Sequence, residues 1–372
     1  MNRLFPLFRL SVFCLIALGS TASILLAEGQ TPVKPVAEVT GLPTRIAFGS
    51  CGKQDKPQPA LRQVVGQKPD LFIYLGDNIY GDTRDMNVLK AKYDMLGAKP
   101  EFQALRREMA VLSVWDDHDY GENDAGKEYP KKKESREIFF DFWQVPGDSP
   151  RRTRAGIYGA HTFTENGKTL QVILLDTRFF RDPLKRNSRP IPPDSPFKNE
   201  YQPDDNPEKT MLGKDQWQWL EQQFQKPADL RIVCSSIQFG HEYNGWESWT
   251  NLPADRQKML DLIKRTQASG VVFISGDVHW AEVSRREEDL PYPLYDVTAS
   301  GLTEDWHNIE PNRYRVGEAV PDNHFGLIEI DWETDDPLLR LKVIDVKGTT
   351  RMNHPVRLSE ISLRRRQDEE RN

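Results

Sequence analysis

Residues 115–124 have the sequence WDDHDYGEND, which places five carboxylates and one histidine directly after an apolar run. Three of the carboxylates, Asp116, Asp117 and Asp119, lie within four positions beside His118. Such crowding of like charge destabilises a folded chain unless cations neutralise it or solvent screens it. Carboxylates beside an imidazole are suitable ligands for a hard cation. The stretch therefore predicts a metal site, and the alternative is an acidic loop exposed to solvent.

The same arrangement recurs along the chain. Six other apolar runs, each a candidate strand, end in groups able to bind a metal or a phosphate. These endings are FGSC at 48–51, GDNIYGD at 76–82, DTR at 176–178, SSIQFGH at 235–241, SGDVH at 275–279 and TASG at 298–301. Because ligands bind beyond the carboxyl ends of the strands in open α/β sheets, we expect all seven endings to meet at one edge.

Between the apolar runs lie amphipathic stretches with helical spacing, such as 60–67, 214–224 and 255–266. Alternation of such helices with continuous apolar strands predicts an α/β sheet that is covered on both faces. The two segments that flank Asn166-Gly167 predict a β-hairpin, because this dipeptide is typical of a two-residue hairpin turn. The sheet should therefore be mixed rather than purely parallel.

The last third of the chain contains two segments, 325–331 and 338–346, whose apolar residues alternate at period two and predict antiparallel strands. Two other segments lack a regular pattern. Residues 181–213 are rich in proline and charge and are too long for a simple connection, which suggests a lid over the site. Residues 303–323 form the second irregular segment.

The 372-residue chain is 38% hydrophobic and 28% charged, which predicts a globular protein. An uncharged run at 10–27 follows two arginines and predicts a signal peptide over residues 1–27, hence a periplasmic or secreted protein without stable membrane insertion after cleavage. Its removal changes the net charge from −6 to −8, which argues against specific nucleic-acid recognition. Beyond it, Cys51 and Cys234 are too few for a disulfide framework, although one bridge between them is possible.

In their order along the chain, the motifs FGSC, LGDNIYGD, WDDHDYGEND, LLDTR and SGDVHW resemble those of the alkaline phosphatase D (PhoD-like) family. This family belongs to the calcineurin-like metallophosphoesterase superfamily. The resemblance covers residues 46–301 and implies an α/β fold, a four-layer sandwich of two mixed β-sheets flanked by helices, with a dinuclear metal site at one edge. We expect the PhoD-like metallophosphatase domain at residues 44–358, between a lead-in at 28–43 and a charged tail at 359–372.

The resemblance also implies six metal ligands, namely Cys51, Asp77, Tyr93, Asp117, Asp277 and His279. The thiolate of Cys51 is expected to bind Fe³⁺, and Asp77 to bridge two metals. For Tyr93, which lies in a predicted helix, the alternative is a place in the core. Carboxylates where the superfamily has histidines favour Ca²⁺ at the second site, completed by Asp116 or Asn123, and another divalent metal is the alternative.

The family pattern assigns catalysis to two residues. His118 would contact the phosphate and protonate the leaving group. Arg178 would be a fixed positive clamp on the phosphate, and its alternative role is a surface salt bridge. Asn78, Gln238 and His241 are expected to bind the substrate, although His241 could instead pack its own loop.

The predicted function is the hydrolysis of small or polymeric phosphate esters. Two cations would polarise the phosphoryl oxygens and lower the pKa of a bound water, which attacks phosphorus in line. One alternative is a hydrolase of another ester, because a fold does not fix its substrate. The other alternative is an exported calcium-binding protein without activity, which would not need the intact set of ligands.

Overall fold

The apolar runs of the sequence form strands of two large sheets in the computed structural model, which describes residues 34–288 and 290–363. The predicted signal peptide and residues 364–372 of the predicted tail lie outside this range. The strands are β1 (Arg45–Gly49), β2 (Leu71–Leu75), β3 (Ala110–Val114), β4 (Gly159–Glu165), β5 (Lys168–Leu174), β6 (Lys185–Arg186), β7 (Tyr201–Gln202), β8 (Leu230–Cys234), β9 (Val271–Ser275), β10 (Ala281–Arg286), β11 (Leu294–Ala299), β12 (Arg315–Val320), β13 (His324–Asp331), β14 (Leu338–Asp345) and β15 (Thr350–Arg357).

The helices are α1 (Pro59–Gln67), α2 (Met86–Gly97), α3 (Pro100–Glu108), α4 (Asp117–Tyr120), α5 (Lys132–Phe142), α6 (Pro150–Thr153), α7 (Gly213–Phe224) and α8 (Pro253–Thr266). Short 3₁₀ turns occur at Val36–Glu38, Trp249–Asn251 and Leu358–Ile361. Among the described residues, no helix is both long enough and apolar enough to cross a membrane.

The first sheet has the strand order β15-β14-β13-β1-β2-β3. Strands β1, β2 and β3 are parallel, and β13 pairs antiparallel with β1. All five residues of β2 are buried, as expected for a parallel strand inside a sheet that is covered on both faces. The parallel alignment brings the residues that follow these three strands to one edge of the sheet, as the sequence predicts.

The second sheet has the order β12-β10-β11-β9-β8-β5-β4, with β5, β8, β9 and β11 parallel. Strand β4 pairs antiparallel with β5 and completes the predicted hairpin. Asn166 and Gly167 in its turn have φ angles of 50° and 77°, the left-handed conformation that a type I′ turn requires. Both sheets are therefore mixed.

Helices flank the two sheets, which pack against each other. Strands β10 and β11 of the second sheet contact β13 of the first, and side chains of both sheets belong to one buried core. Helices α1 and α3 contact β13 and β3, respectively. On the second sheet, the Gln216 amide of α7 donates to the backbone carbonyl of Asp176 after β5, at 2.8 Å. The predicted sandwich of two mixed sheets flanked by helices is confirmed.

The two sheets contact each other where their parallel strands end. The backbone N–H of Asp277, after β9, lies 3.4 Å from Oγ of Ser50, after β1. Gly276 permits this approach, because a Cβ atom at that position would overlap the side chain of Ser50. A larger residue at 276 would therefore push the two strand ends apart.

Two segments that the sequence predicts to be irregular contain short strands. Strand β12 lies within 303–323 and pairs with β10 at the edge of the second sheet. Only Val320 of its six residues is fully buried, and Gly317 has a φ of 72°, so the alternation that would identify a strand is missing. Strands β6 and β7 form a two-stranded ladder within 181–213.

Candidate active site

Four residues that follow strand ends have a backbone conformation that non-glycine residues rarely adopt. Their φ angles are 60° for Cys51, 49° for Asp77, 78° for Asp277 and 65° for His279. A positive φ outside glycine costs on the order of 1 kcal/mol or more per residue. Such strain persists only where the surrounding structure enforces it, and it concentrates at functional sites. The four residues with this strained backbone are therefore among those that the sequence analysis predicts as metal ligands.

The side chains at these exits form one connected cluster of potential metal ligands. Within the described part of the chain, four groups of three residues have ligand atoms within 4.8 Å of one another: Cys51, Asp77 and His279; Asp77, Asp117 and His118; Asp116, Asp117 and Asp277; and Asp117, Asp124 and Glu247. Asp77 belongs to the first two groups and Asp117 to the last three. The structure thus brings together five of the six predicted ligands.

The donor atoms of this cluster fit metal ions. Oδ1 of Asp77, Oδ2 of Asp116 and Oδ1 of Asp117 are buried and accept no hydrogen bond from the described residues. A buried carboxylate oxygen without a partner is destabilising, and a cation would satisfy it. The group with Cys51 offers a thiol and an imidazole, which suit a transition metal. The group of Asp116, Asp117 and Asp277 offers only carboxylates, which suit a hard cation.

Burial sets the protonation of the cluster. It raises the pKa of the Cys51 thiol well above its ordinary value, and the charge of Asp77 raises it further. It likewise raises the pKa of Asp77 and of Asp277, with repulsion from neighbouring carboxylates adding to the effect. A cation would reverse this preference because it stabilises the thiolate and the carboxylates. Metal binding should therefore release protons.

His118 lies between the carboxylates and an aromatic ring. Its ring packs on that of Tyr80 with centroids 4.1 Å apart, and its Nδ1 lies 2.7 Å from Oδ1 of Asp82. Burial alone would lower the pKa of His118, but Asp117 and Asp77 raise it to about 11. Without a bound cation these carboxylates thus favour the protonated form of His118, which lines the cavity that opens onto the cluster. This is the arrangement that a proton donor requires.

Arg178 is placed behind the carboxylates. Its guanidinium is fully buried and lies 2.5 Å from a carboxylate oxygen of both Asp116 and Glu247, and 3.7 Å from Asp117. Arg181, also fully buried, pairs with Glu247 at 2.8 Å. Arg178 does not line the cavity. Arg178 is thus neither a surface salt bridge nor a clamp that lines the cavity, and its buried ion pairs neutralise carboxylates of the cluster.

The tyrosine beside the cluster is Tyr80, whereas the predicted ligand Tyr93 lies elsewhere. The buried hydroxyl of Tyr93 donates to Oδ2 of Asp119 at 3.1 Å. Helix α2 therefore places Tyr93 in the core, the alternative that its helical position suggests. The hydroxyl of Tyr80 lies 3.2 Å from Nε2 of His279, a member of the cluster. Because Tyr80 follows Asp77 in the same strand exit, the GDNIY sequence could have identified it.

The three predicted substrate-binding residues support the frame of the site and do not line its cavity. The amide of Asn78 donates to the backbone carbonyl of Val114 at 2.8 Å, which joins the ends of β2 and β3. The amide of Gln238 donates to Glu282 at 2.9 Å. His241 is buried, and burial lowers its pKa to about 3. His241 thus packs its own loop.

A cavity of about 470 Å³ opens onto the cluster. Several lining residues were not identified from the sequence, namely Asp124, Arg186, Glu200, Tyr201, Glu247, Trp280 and Trp306. Three of these belong to the irregular segment 181–213. The hydroxyl of Tyr201 donates to Oδ2 of Asp124 at 2.6 Å, so the segment forms a wall of the cavity that is bonded to the acidic stretch. Among the missed residues, Asp124 had the clearest signal, because it ends WDDHDYGEND.

Cys51 and Cys234 do not form the bridge that the sequence leaves possible. Cys51 and Cys234 are both buried free thiols. Cys51 Sγ lies 3.5 Å from Oδ2 of Asp77 and 3.5 Å from the backbone carbonyl of Asp277. The thiol is thus available to the ligand cluster.

Comparison with known proteins identifies relatives of this chain. The alkaline phosphatase D of Bacillus subtilis is 25% identical over an alignment of 304 residues that covers 70% of this chain and 50% of that protein, so the chain spans about half the length of this relative. A solved structure of PhoD has 18% identity and a TM-score of 0.60 over 86% of this chain and 73% of that chain. A dimetal phosphatase from Danio rerio has 14% identity and a TM-score of 0.51 over 86% of this chain and 100% of that chain. The family model of PhoD-like phosphatases matches residues 46–304, and since this is more than half of the chain, the protein belongs to the PhoD-like phosphatase family.

Proposed function

We propose that the protein is a metallophosphoesterase that hydrolyses phosphate mono- or diesters at a dinuclear metal site. The observation that carries this proposal is the position of His118 on the same cavity as the ligand cluster. Asp77 is shared by the group of Cys51 and the group of Asp117, which supports its role as a bridging ligand. Phosphate esters are the substrates that membership of the family implies.

The donor sets support Fe³⁺ and Ca²⁺ as the two ions. Cys51, Asp77 and His279 would hold iron, with the phenol of Tyr80 as a further ligand in place of Tyr93. Asp116, Asp117 and Asp277 would hold calcium, because they supply only carboxylate oxygens. Another divalent metal in the second position is compatible with the same ligands.

The bound ions would lower the pKa of a water and polarise the phosphoryl oxygens. The side chains of this chain supply the other parts of the reaction. His118 donates a proton to the leaving oxygen, and Asp82 orients its ring through Nδ1. Arg178 holds Asp116 and Glu247 in fixed positions through buried ion pairs, and Oδ2 of Asp116, which accepts no hydrogen bond from the described residues, would be available to a cation.

We also propose that the protein is exported to the periplasm or beyond. The support is the charged and then apolar leader at residues 1–27, which lies outside the described residues. The domain limits of 44–358 stay a prediction, and the residues that match the family model lie within them. The partner would be a small or polymeric phosphate ester, as membership of the family implies, and the acidic composition argues against specific recognition of nucleic acid.

The test is elemental analysis of the purified mature protein, paired with hydrolysis of p-nitrophenyl phosphate and bis(p-nitrophenyl) phosphate. We expect iron with calcium, a visible charge-transfer band and turnover, and the faster ester sets the preference for mono- or diesters. Bound calcium without turnover after reconstitution would instead indicate the calcium-binding protein.

Asp77→Asn provides the matched variant for this experiment. It should abolish turnover and leave the protein folded, because it removes one charge from the residue shared by two ligand groups. The exposed Asp205 is the control, and Asp205→Asn should retain full activity. Activity in Asp77→Asn would rule out the bridging role.

A further inference from the structure

The cavity above the ligand cluster has an aromatic wall, which we define as Trp246 and Trp306. The two rings lie edge to face, with centroids 5.8 Å apart and planes at 85°. Both residues line the cavity, and both are partly exposed. Large aromatic side chains that stay open to a cavity beside polar groups are typical of sites that bind the organic part of a ligand.

Trp246 is fixed relative to the cluster through its neighbour in sequence. Glu247 is almost fully buried and pairs with Arg178 and Arg181. It also belongs to the ligand group that contains Asp117 and Asp124. The backbone N–H of Trp246 donates to the Asn244 side chain at 2.8 Å. Trp246 therefore cannot shift far without disturbing the carboxylates of the site.

Trp306 is fixed from the other side of the cavity. The segment that leads into Trp306 is held at Thr303. The backbone N–H of Thr303 donates to the carbonyl of Cys51 at 3.1 Å, and its hydroxyl donates to the same oxygen at 3.2 Å. The indole N–H of Trp306 donates to the carbonyl of Asn308 at 2.9 Å, so its polar edge is already satisfied. The Trp306 side chain can therefore contact a ligand through the apolar face of its ring. Because such a wall is formed before any ligand arrives, little ordering is needed on binding.

The charges around the wall restrict the kind of group that it can receive. Asp124, Glu200 and Glu247 also line the cavity, and Arg186 there is paired with Glu200 at 3.1 Å. An organic group with negative charge would be repelled by these carboxylates, whereas a neutral flat ring would not. Every nucleobase presents such a face, and stacking on an aromatic side chain does not depend on the base.

We propose that the aromatic wall binds the organic group that stays on the phosphate when the leaving group departs, and makes the enzyme prefer phosphate diesters in which this group carries a nucleobase or aryl ring. This inference rests on the proposed function and adds a substrate class to it. Glycerol and short alkyl esters would bind the same metal cluster but would gain nothing from Trp246 and Trp306.

The test compares two diesters that share the leaving group p-nitrophenolate, namely thymidine 5′-(p-nitrophenyl phosphate) and methyl p-nitrophenyl phosphate. We expect kcat/KM to be about 10-fold or more higher for the thymidine ester. Trp246→Ala and Trp306→Ala should each reduce kcat/KM for the thymidine ester by about 10-fold while changing kcat/KM for the methyl ester less than about 2-fold. Trp306→Phe should keep most of the preference, because it retains an aromatic face.

Trp219→Ala is the matched control, because Trp219 is also partly exposed but does not line the cavity. It should leave the ratio of the two esters unchanged. A third diester with glucose joined through its 6-oxygen and the same leaving group separates aromatic from sugar rings. Preference for the glucose ester over the thymidine ester would overturn the assignment of an aromatic group.

A binding measurement separates failure of this inference from failure of the proposed function. Calorimetric titration of the metal-loaded protein with 5′-deoxythymidine 5′-phosphonate, which cannot be hydrolysed, should show tighter binding than methylphosphonate, and Trp306→Ala should remove the difference. Equal affinities for the two phosphonates would contradict ligand binding by the aromatic wall, even if neither diester is hydrolysed. Hydrolysis of both diesters with equal kcat/KM would overturn it while leaving the proposed function intact.

Discussion

Nδ1 of His118 and Oδ1 of Asp82 lie 2.7 Å apart, which joins the histidine after β3 to the loop after β2. The Asp82 side chain is 41% exposed and that of His118 is 18% exposed, so the pair lies at the surface of the site. A carboxylate at Nδ1 orients the imidazole and stabilises its protonated form. Proton donation by His118 should therefore depend on Asp82.

We predict that His118→Asn lowers kcat by about 100-fold or more for alkyl phosphates and that Asp82→Asn lowers it by about 10-fold. Both variants should lose less with p-nitrophenyl esters, because p-nitrophenolate leaves without protonation. The measurement is kcat across a series of esters whose leaving groups have graded pKa values. Equal losses along the whole series would indicate that His118 acts as a metal ligand or as a structural residue.

The two tyrosines near the site give a second prediction. If iron is bound beside Cys51, Tyr80→Phe should weaken or shift the visible absorption band, because the Tyr80 hydroxyl lies beside His279. Tyr93→Phe should leave the spectrum unchanged and cost about 1 kcal/mol of stability, because it removes a buried hydrogen bond to Asp119. Absorption spectra and urea unfolding of the two variants, measured side by side, show which tyrosine is the metal ligand and which is a core residue. If Tyr93→Phe changes the spectrum and Tyr80→Phe does not, Tyr93 is the metal ligand, as the family resemblance predicts.

The candidate ligands could be predicted from the sequence because their positions follow from parallel strands. Cys51, Asp77 and Asp117 come directly after apolar runs, and the runs of parallel strands share one direction. Their carboxyl ends must therefore lie at one edge. The same argument applies to Asp277 after β9 in the second sheet. Local pattern was sufficient here, because each run is a buried strand with no competing periodicity.

The partners of these residues could not be predicted in the same way. Arg178 and Glu247 are far apart in sequence, and only the folded loops bring them into an ion pair. Tyr201 reaches Asp124 from a segment without any regular pattern. The assignment of Tyr93 as a ligand rests on the family resemblance, and only the fold shows that helix α2 buries its hydroxyl against Asp119. Edge strand β15, which contains Pro355, also lacks a local pattern that would identify it.

The ion pairs of Arg178 give the third prediction. Arg178→Ala should reduce the free energy of unfolding by about 3–5 kcal/mol, because it leaves Asp116 and Glu247 buried and without their cation. Arg186→Ala is the control, because the Arg186 side chain is 61% exposed and its loss should cost less than about 1 kcal/mol. The measurement is urea unfolding. An unchanged stability with a large rise in KM would instead support the clamp on phosphate.

The fourth prediction concerns a buried histidine away from the ligand cluster. Nε2 of His324 accepts the backbone N–H of Ser300 at 3.1 Å, and its Nδ1 donates to the carbonyl of Asp322 at 2.7 Å. Burial lowers the pKa of His324 from 6.5 to about 4. The folded protein thus keeps this histidine neutral under conditions in which the unfolded chain binds a proton. Its contribution to stability is fully present above pH 6.5 and is lost as the pH falls from 6.5 to about 4.

The difference between the pKa of His324 in the unfolded and in the folded chain corresponds to about 3 kcal/mol of stability. We predict that His324→Gln reduces the loss of stability between about pH 7 and about pH 4.5, because glutamine can make both hydrogen bonds and does not titrate. His161, whose pKa is lowered to about 4, and His241 contribute in the same direction, so part of the acid sensitivity should persist in the variant. Urea unfolding at both pH values measures the effect, and the exposed His307 provides the control variant His307→Gln. If His324→Gln and the unmodified protein lose the same stability over this range, the acid sensitivity comes from groups other than His324.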